Sequence, residues 1–162
     1  MTTEIPICKK YLVSSLLVLA LMSSAACGTK VVRGASPLVR MTELSHQDNN
    51  ISLQVSMRNL NGVDLDILSI DIRLTVNENE EELFVYSGPV DTNIVANGTE
   101  SWSVEVEESK ASRELLESLE KGEIKSLPYA LKGSVTSRDD GTLRFEYEGH
   151  IYPLPGKPGH FR

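Results

Sequence analysis

The sequence predicts an all-β protein, an antiparallel sandwich carrying one short helix. Three observations predict it. Apolar residues recur at every second position over several separate stretches, Asn-Gly and Asp-Gly pairs punctuate those stretches, and a single segment abandons period two for helical spacing. A parallel sheet would need strands alternating with helices, and no such alternation is visible.

The first legible strand is Ile51, Leu53, Val55 and Met57, alternating with Ser52, Gln54, Ser56 and Arg58, so that one face is apolar and the other polar. After a turn region containing Asn61-Gly62, Ile70, Ile72, Leu74 and Val76 repeat the pattern against Ser69, Asp71, Arg73 and Thr75. The acidic run Glu78 to Glu82, interrupted by Asn79, is expected to turn the chain into a strand at Leu83 to Tyr86. Asn97-Gly98 marks the next turn, ahead of Trp102, Val104 and Val106. Ala111 to Lys121 then carries Leu115, Leu116 and Leu119 at helical spacing, with Ser112 expected as N-cap and Gly122 as the C-terminal stop. Tyr129, Leu131, Gly133 and Val135 face Leu143, Phe145, Tyr147, Gly149 and Ile151 across a loop at Arg138 to Gly141, a long hairpin.

Composition limits the function. With 40% apolar and 24% charged residues, the chain is neither disordered nor a multi-pass membrane protein. Sixteen basic against twenty-three acidic side chains give a net charge of -7 with no basic stripe, which argues against a nucleic-acid partner. Three histidines and two cysteines, none closely paired, predict no metal site and no cofactor.

The N-terminus reads as an address. A polar lead with Glu4, Lys9 and Lys10 precedes the apolar run Tyr11 to Met22, which falls short of the about 20 residues of a spanning helix and ends in small residues. Residues 1–26 are therefore expected to be a signal peptide. Ser24-Ala25-Ala26-Cys27 resembles the lipobox of bacterial lipoproteins, which implies lipidation of Cys27 and a membrane partner through that anchor. Ser24 stands where that family prefers Leu, and Ser24-x-Ala26 also fits the ordinary signal peptidase; the lipoprotein reading gives the cysteine a purpose. Residues 27–36 form the lipidated N-terminus and tether, 37–155 the sandwich, and 156–162 an extended, solvated C-terminal tail. The expected location is the cell envelope, and Gly28 in place of the retention Asp points to an outer membrane facing the periplasm if the cell is Gram-negative.

Asn59-Leu60-Asn61, the strand Leu65 to Val76, the Gly88 loop, the Gly98-Thr99 turn, the Leu-rich helix, and Tyr129-x-Leu131-x-Gly133 with Phe145-x-x-x-Gly149 together resemble the late-embryogenesis-abundant (LEA) type 2 family, in its water-stress and hypersensitive-response (WHy) form. The likeness spans roughly Pro37 to Pro155. The family's mark is Asn-Pro-Asn, and here Leu60 replaces the proline. The resemblance implies an immunoglobulin- or fibronectin-III-like sandwich and an association with desiccation and stress tolerance.

No catalytic constellation is expected. Gly133-Ser134-Val135 lacks the nucleophile-elbow frame, and Asp139-Asp140 before Gly141 is turn chemistry. Asp64-x-Asp66 and the Glu78 to Glu82 run lack the ligand spacing of a calcium loop, and His46, His150 and His160 read as surface or packing residues. The chain is expected not to be an enzyme but a stress-protection module on the envelope. The alternatives are an apolar-ligand or lipid-binding module, its groove lined by Ile70, Ile72, Leu74, Trp102 and Val104, or an assembly module that offers an edge strand or the Pro-rich tail to an envelope protein.

Overall fold

The computed structural model describes residues 31–77 and 81–162. The expected signal peptide, Cys27 and the start of the tether lie outside the described residues, as do positions 78–80 of the acidic run. Eight strands and one helix follow in the order β1 (Leu38–Gln47), β2 (Asn50–Arg58), β3 (Leu65–Val76), β4 (Glu81–Ile94), β5 (Thr99–Glu107), α1 (Lys110–Glu120), β6 (Leu127–Ser137), β7 (Gly141–Ile151) and β8 (His160–Phe161). They form two four-stranded antiparallel sheets, β5-β2-β1-β8 and β4-β3-β6-β7. The fold is the antiparallel sandwich with one short helix that the periodicity predicts, in the immunoglobulin- or fibronectin-III-like form that the resemblance implies.

Alternation explains how the core is shared. Ile51, Leu53, Val55 and Met57 of β2 are wholly buried, and the intervening polar residues face outward. From the second sheet, Ile70, Ile72, Leu74 and Val76 of β3 meet Leu131 and Val135 of β6 and Leu143 and Phe145 of β7 in the same apolar layer. The β6–β7 hairpin runs without interruption from Leu127 opposite Ile151 to Ser137 opposite Gly141, as its matched sequence patterns require.

Three elements differ from the sequence reading. β1 is absent from it because a register shift between Met41 and Glu43 breaks the alternation, so Val39 and Leu44 are both buried though an odd number of residues apart. β4 extends well beyond Leu83 to Tyr86: it is an edge strand with register shifts at both ends, one of which lets the consecutive residues Leu83 and Phe84 both enter the core. The C-terminal segment 156–162 is not a solvated tail. Phe161 is fully buried, β8 pairs with Leu44 and Ser45 of β1, and the Tyr152 and Arg162 backbones exchange hydrogen bonds of 2.9 Å. A single large aromatic side chain near the terminus outweighs the fraying expected of a chain end.

The helix is also displaced by one residue. Its N-cap is Ser109, whose Oγ accepts the Ser112 N–H at 3.0 Å, while Ser112 is buried in the first turn and its hydroxyl donates to the Leu83 carbonyl at 3.2 Å. Gly122 takes the positive φ of 76° that closes the C-terminal end. Leu116 and Leu119 are buried, so the helix covers the end of the sandwich where β5 crosses to β6.

Truncating Phe161 to Ala is expected to destabilise the fold by about 3–5 kcal/mol. Urea denaturation checks it; a tail that frays freely would show almost no change.

Candidate functional site

The two ends of the sandwich differ in chemistry. At one end lie the segment 31–37, the β2–β3 loop 59–64, the β4–β5 loop 95–98 and the β6–β7 loop 138–140. At the other lie the β1–β2 turn, α1 and the C-terminal segment.

Asn59 and Asn61 organise the first end. Both are fully buried. The Asn59 amide nitrogen lies 2.8 Å from the Val63 carbonyl, 3.0 Å from that of Ile94 and 3.2 Å from that of Val95, while its Oδ1 accepts the Asn61 N–H at 2.8 Å. Asn61 accepts from the Ala35 N–H at 2.8 Å and donates to the Ala35 carbonyl at 3.1 Å. A primary amide supplies donors and an acceptor at one side-chain tip, so it can satisfy loop backbone groups that have no strand partner. In this chain the Asn-x-Asn positions hold loop backbone with Leu60, not proline, between them.

The other end is held by ion pairs. Glu108, 2% exposed in its side chain, receives Arg113 Nε on Oε2 at 2.8 Å, and Arg113 reaches Asn49 Oδ1 at 2.6 Å. His46 lies between two carboxylates, Nδ1 at 3.3 Å from Glu108 and Nε2 at 3.8 Å from Glu120, and its ring packs 5.8 Å from that of Phe161. The Glu108 oxygen facing His46 makes no hydrogen bond, so this contact is an ion-pair distance without bonding geometry. Glu120 also accepts the Gly159 N–H at 3.1 Å, and His160 pairs with Glu43 at 2.6 Å. These contacts join β1, α1 and the C-terminal segment. The two His46 nitrogens serve different carboxylates, and among the described residues no group of three or more His, Cys, Asp or Glu is placed to hold a metal ion.

The five residues expected to line an apolar groove are placed as follows. Ile70, Ile72 and Leu74 of β3 are 0–2% exposed and Val104 of β5 is 7% exposed, all within the core layer. Trp102 packs against that layer from β5, opposite Val55, and its indole N–H is buried without an acceptor among the described residues. The structure therefore brings them together as packing. Two open troughs of about 450 Å³ each lie instead on the β4-β3-β6-β7 sheet, both lined by Lys132; one includes Thr75, Pro128 and His150, the other Asp71, Arg73 and Ser87. Charges around them are paired within the sheet: Arg73 with Glu82 at 3.2 Å, Lys132 with Glu146 at 3.2 Å, and Asp71 with the Ser87 hydroxyl. Asp66 is engaged by Asn93 and Arg138, and Asp64 accepts the Ala96 N–H at 2.9 Å, so both carboxylates serve loop structure.

The glycines of the β6–β7 hairpin lie under aromatic rings. Tyr129 stands opposite Gly149 and Phe145 opposite Gly133. A Cβ on Gly149 would fall 2.8 Å from the Tyr129 ring, and one on Gly133 would strike the Asp71 carbonyl and lie 2.6 Å from the Phe145 ring. The sequence pattern Tyr-x-Leu-x-Gly with Phe-x-x-x-Gly is thus a reciprocal cross-strand exchange of ring for hydrogen. Tyr129 lies 6.3 Å from the Tyr147 ring, over which the Arg40 guanidinium sits at 5.3 Å. Burial is the main cause that pushes the Tyr129 hydroxyl up to about 12, the neighbouring Tyr147 adds to it, and Arg40 opposes it.

The fold and these sites define a two-sheet antiparallel sandwich whose polar residues mainly brace its two ends. Comparison with solved structures agrees. The chain matches the solution structure of AT1g01470 from Arabidopsis thaliana at a TM-score of 0.55 and 14% identity, over 83% of this chain and 91% of that one. A late-embryogenesis-abundant protein matches at 0.47 and 18%, over 93% and 88%, and a protein from Archaeoglobus fulgidus at 0.44 and 12%, over 77% and 98%. At such identities the likeness to the first of these establishes the fold. No family model matches the chain, and no curated protein matches it in sequence.

Two outcomes are expected. Gly133→Ala should destabilise the protein by more than about 1 kcal/mol, since the obstructing atom is backbone, and thermal unfolding measures it. Tyr129 keeps its proton in the folded state to about pH 12 but loses it near 10 when unfolded. Its contribution to stability is therefore whole below pH 10 and disappears as the pH rises to 12. Urea midpoints across that window should fall less steeply for Tyr129→Phe than for the parent.

Proposed function

We propose that this chain is a non-enzymatic cell-envelope lipoprotein whose LEA type 2/WHy-like sandwich protects neighbouring envelope components during desiccation or other stress. The observation that carries the reading is one of order along the chain. The apolar run Tyr11 to Met22 and the Ser24-Ala25-Ala26-Cys27 sequence stand directly ahead of a sandwich whose described part begins at Val31. Cleavage before Cys27 would leave a lipidated residue a few positions from the folded body.

The protective role comes from the sequence resemblance, and the sandwich is the fold that resemblance implies. A non-catalytic role is supported by Asp64, Asp66, Glu108 and Glu120, each of which holds backbone or a neighbouring side chain. An apolar ligand between the sheets would have to displace Ile70, Leu74 and Val104 from a packed layer. That favours protection over ligand carriage. The described helix is too short to span a membrane, so in this reading attachment falls to the lipid.

The reading is tested by the mass of the mature N-terminus from membrane and soluble fractions. Diacylglyceryl-modified Cys27 in the membrane fraction is the expected result, and a soluble chain with free Cys27 or retained Cys8 overturns the location. A deletion strain should lose survival after drying, and the tethered form but not Cys27→Ala should restore it; unchanged survival removes the protective role.

A further inference from the structure

Six large apolar side chains are exposed among the described residues, and four of them share one end of the sandwich. They are Val31 (53%), Val32 (54%), Leu60 (44%) and Val95 (57%). Hydrogen bonds fix their common position. The Gly62 N–H donates to the Val32 carbonyl at 3.0 Å, the Asn97 N–H to Asn61 at 3.1 Å, and the Gly98 N–H to Val95 at 2.8 Å, so segment 31–36 and the loops 59–64 and 95–98 form one braced surface. We propose that this loop end is a membrane-contact surface that lays Val31, Val32, Leu60 and Val95 against the lipid bilayer.

The occupant follows from the chain that arrives there. Val31, where the described chain begins, is part of the patch, and Cys27 lies four residues upstream, a reach of at most about 14 Å even when fully extended. The inference rests on the lipoprotein reading: a lipid on Cys27 leaves this end, and no other, within reach of the headgroups. Charge favours the same orientation. At the loop end Arg33, Arg58 and Arg138 balance Asp64, Asp139 and Asp140, whereas residues 107–123 at the opposite end carry six carboxylates against three cations and would be repelled by an anionic surface. Four side chains bury too little area to bind a membrane alone. They supply orientation while the lipid supplies affinity.

The test uses the full chain, processed and reconstituted into vesicles of phosphatidylethanolamine and phosphatidylglycerol with brominated acyl chains. Single reporters Leu60→Trp, Val95→Trp and, at the far end, Ala111→Trp are placed in a Trp102→Phe background, and the N-terminal mass is read from the same samples. Where Trp102→Phe does not fold, the reporters are read with Trp102 retained and the parent emission subtracted. The expected result is a blue shift and bromine quenching at positions 60 and 95 and neither at 111. Lipidated Cys27 with unquenched reporters at 60 and 95 overturns the contact surface and leaves the anchor standing. Unmodified Cys27 overturns the anchor and, with it, the orientation that the anchor imposes on this end.

Discussion

The sandwich depends on the pair of buried amides at Asn59 and Asn61. Three chain segments converge there outside the strands, the stretch ahead of β1 and the loops after β2 and β4, and they bring peptide groups that the two amides hold. The two N–H donors of Asn59 are shared among the Val63, Ile94 and Val95 carbonyls, the last of which also accepts the Gly98 N–H, and leaving the buried Ile94 carbonyl unpaired would cost about 1–3 kcal/mol. Asn61 binds the Ala35 peptide through both its N–H and its carbonyl, as a neighbouring strand would, and so draws the N-terminal segment onto the body. The geometry also fixes what lies between the amides. With residues 59 and 61 turned inward, residue 60 must point out, and Leu60 is exposed because its neighbours are not.

How much of this was legible follows from where simple periodicity holds. β2, β3, β6 and β7 keep strict alternation over most of their length, and each was readable from apolar spacing with the turn residues between them. β1 was not, because its register shift moves the inward positions by one and leaves Val39, Met41 and Leu44 without a common period. β8 was not, because two residues carry no period and their stability comes from Phe161 entering a cavity formed by distant parts of the chain. The helix was legible from Leu115, Leu116 and Leu119, but its cap was misplaced: Ser109 and Ser112 are both suitable oxygens, and only the packing of Ser112 beneath β4 decides between them.

The candidate site was less legible for a related reason. Ile70, Ile72, Leu74, Trp102 and Val104 were identified as inward-facing, and they are; a sequence does not say whether an inward face closes on itself or leaves space. Here the opposing sheet fills it. The His46 cluster was hidden because its members come from β1, the end of β5, α1 and the C-terminal segment, with no local spacing to announce it. Conversely, the Tyr129–Gly149 and Phe145–Gly133 exchanges were present in the sequence as spaced motif positions, and the register gives them a steric meaning.

The two ends of the molecule impose different constraints on any envelope role. The far end is knit by His46, Glu108, Arg113 and Glu120 and presents an excess of carboxylates, so it remains hydrated and repels anionic surfaces. The near end is braced at its centre by the neutral amides of Asn59 and Asn61, which need no counter-ion, with Asp64 and the Asp66–Arg138 pair holding the loops beside them. With an anchor on Cys27, the three residues between it and Val31 would leave little slack for the sandwich to swing out and engage targets at a distance. In the envelope reading, protection is therefore exerted on what comes to the membrane surface: a hydrated acidic face held outward by an amide-braced base, acting over about one domain length.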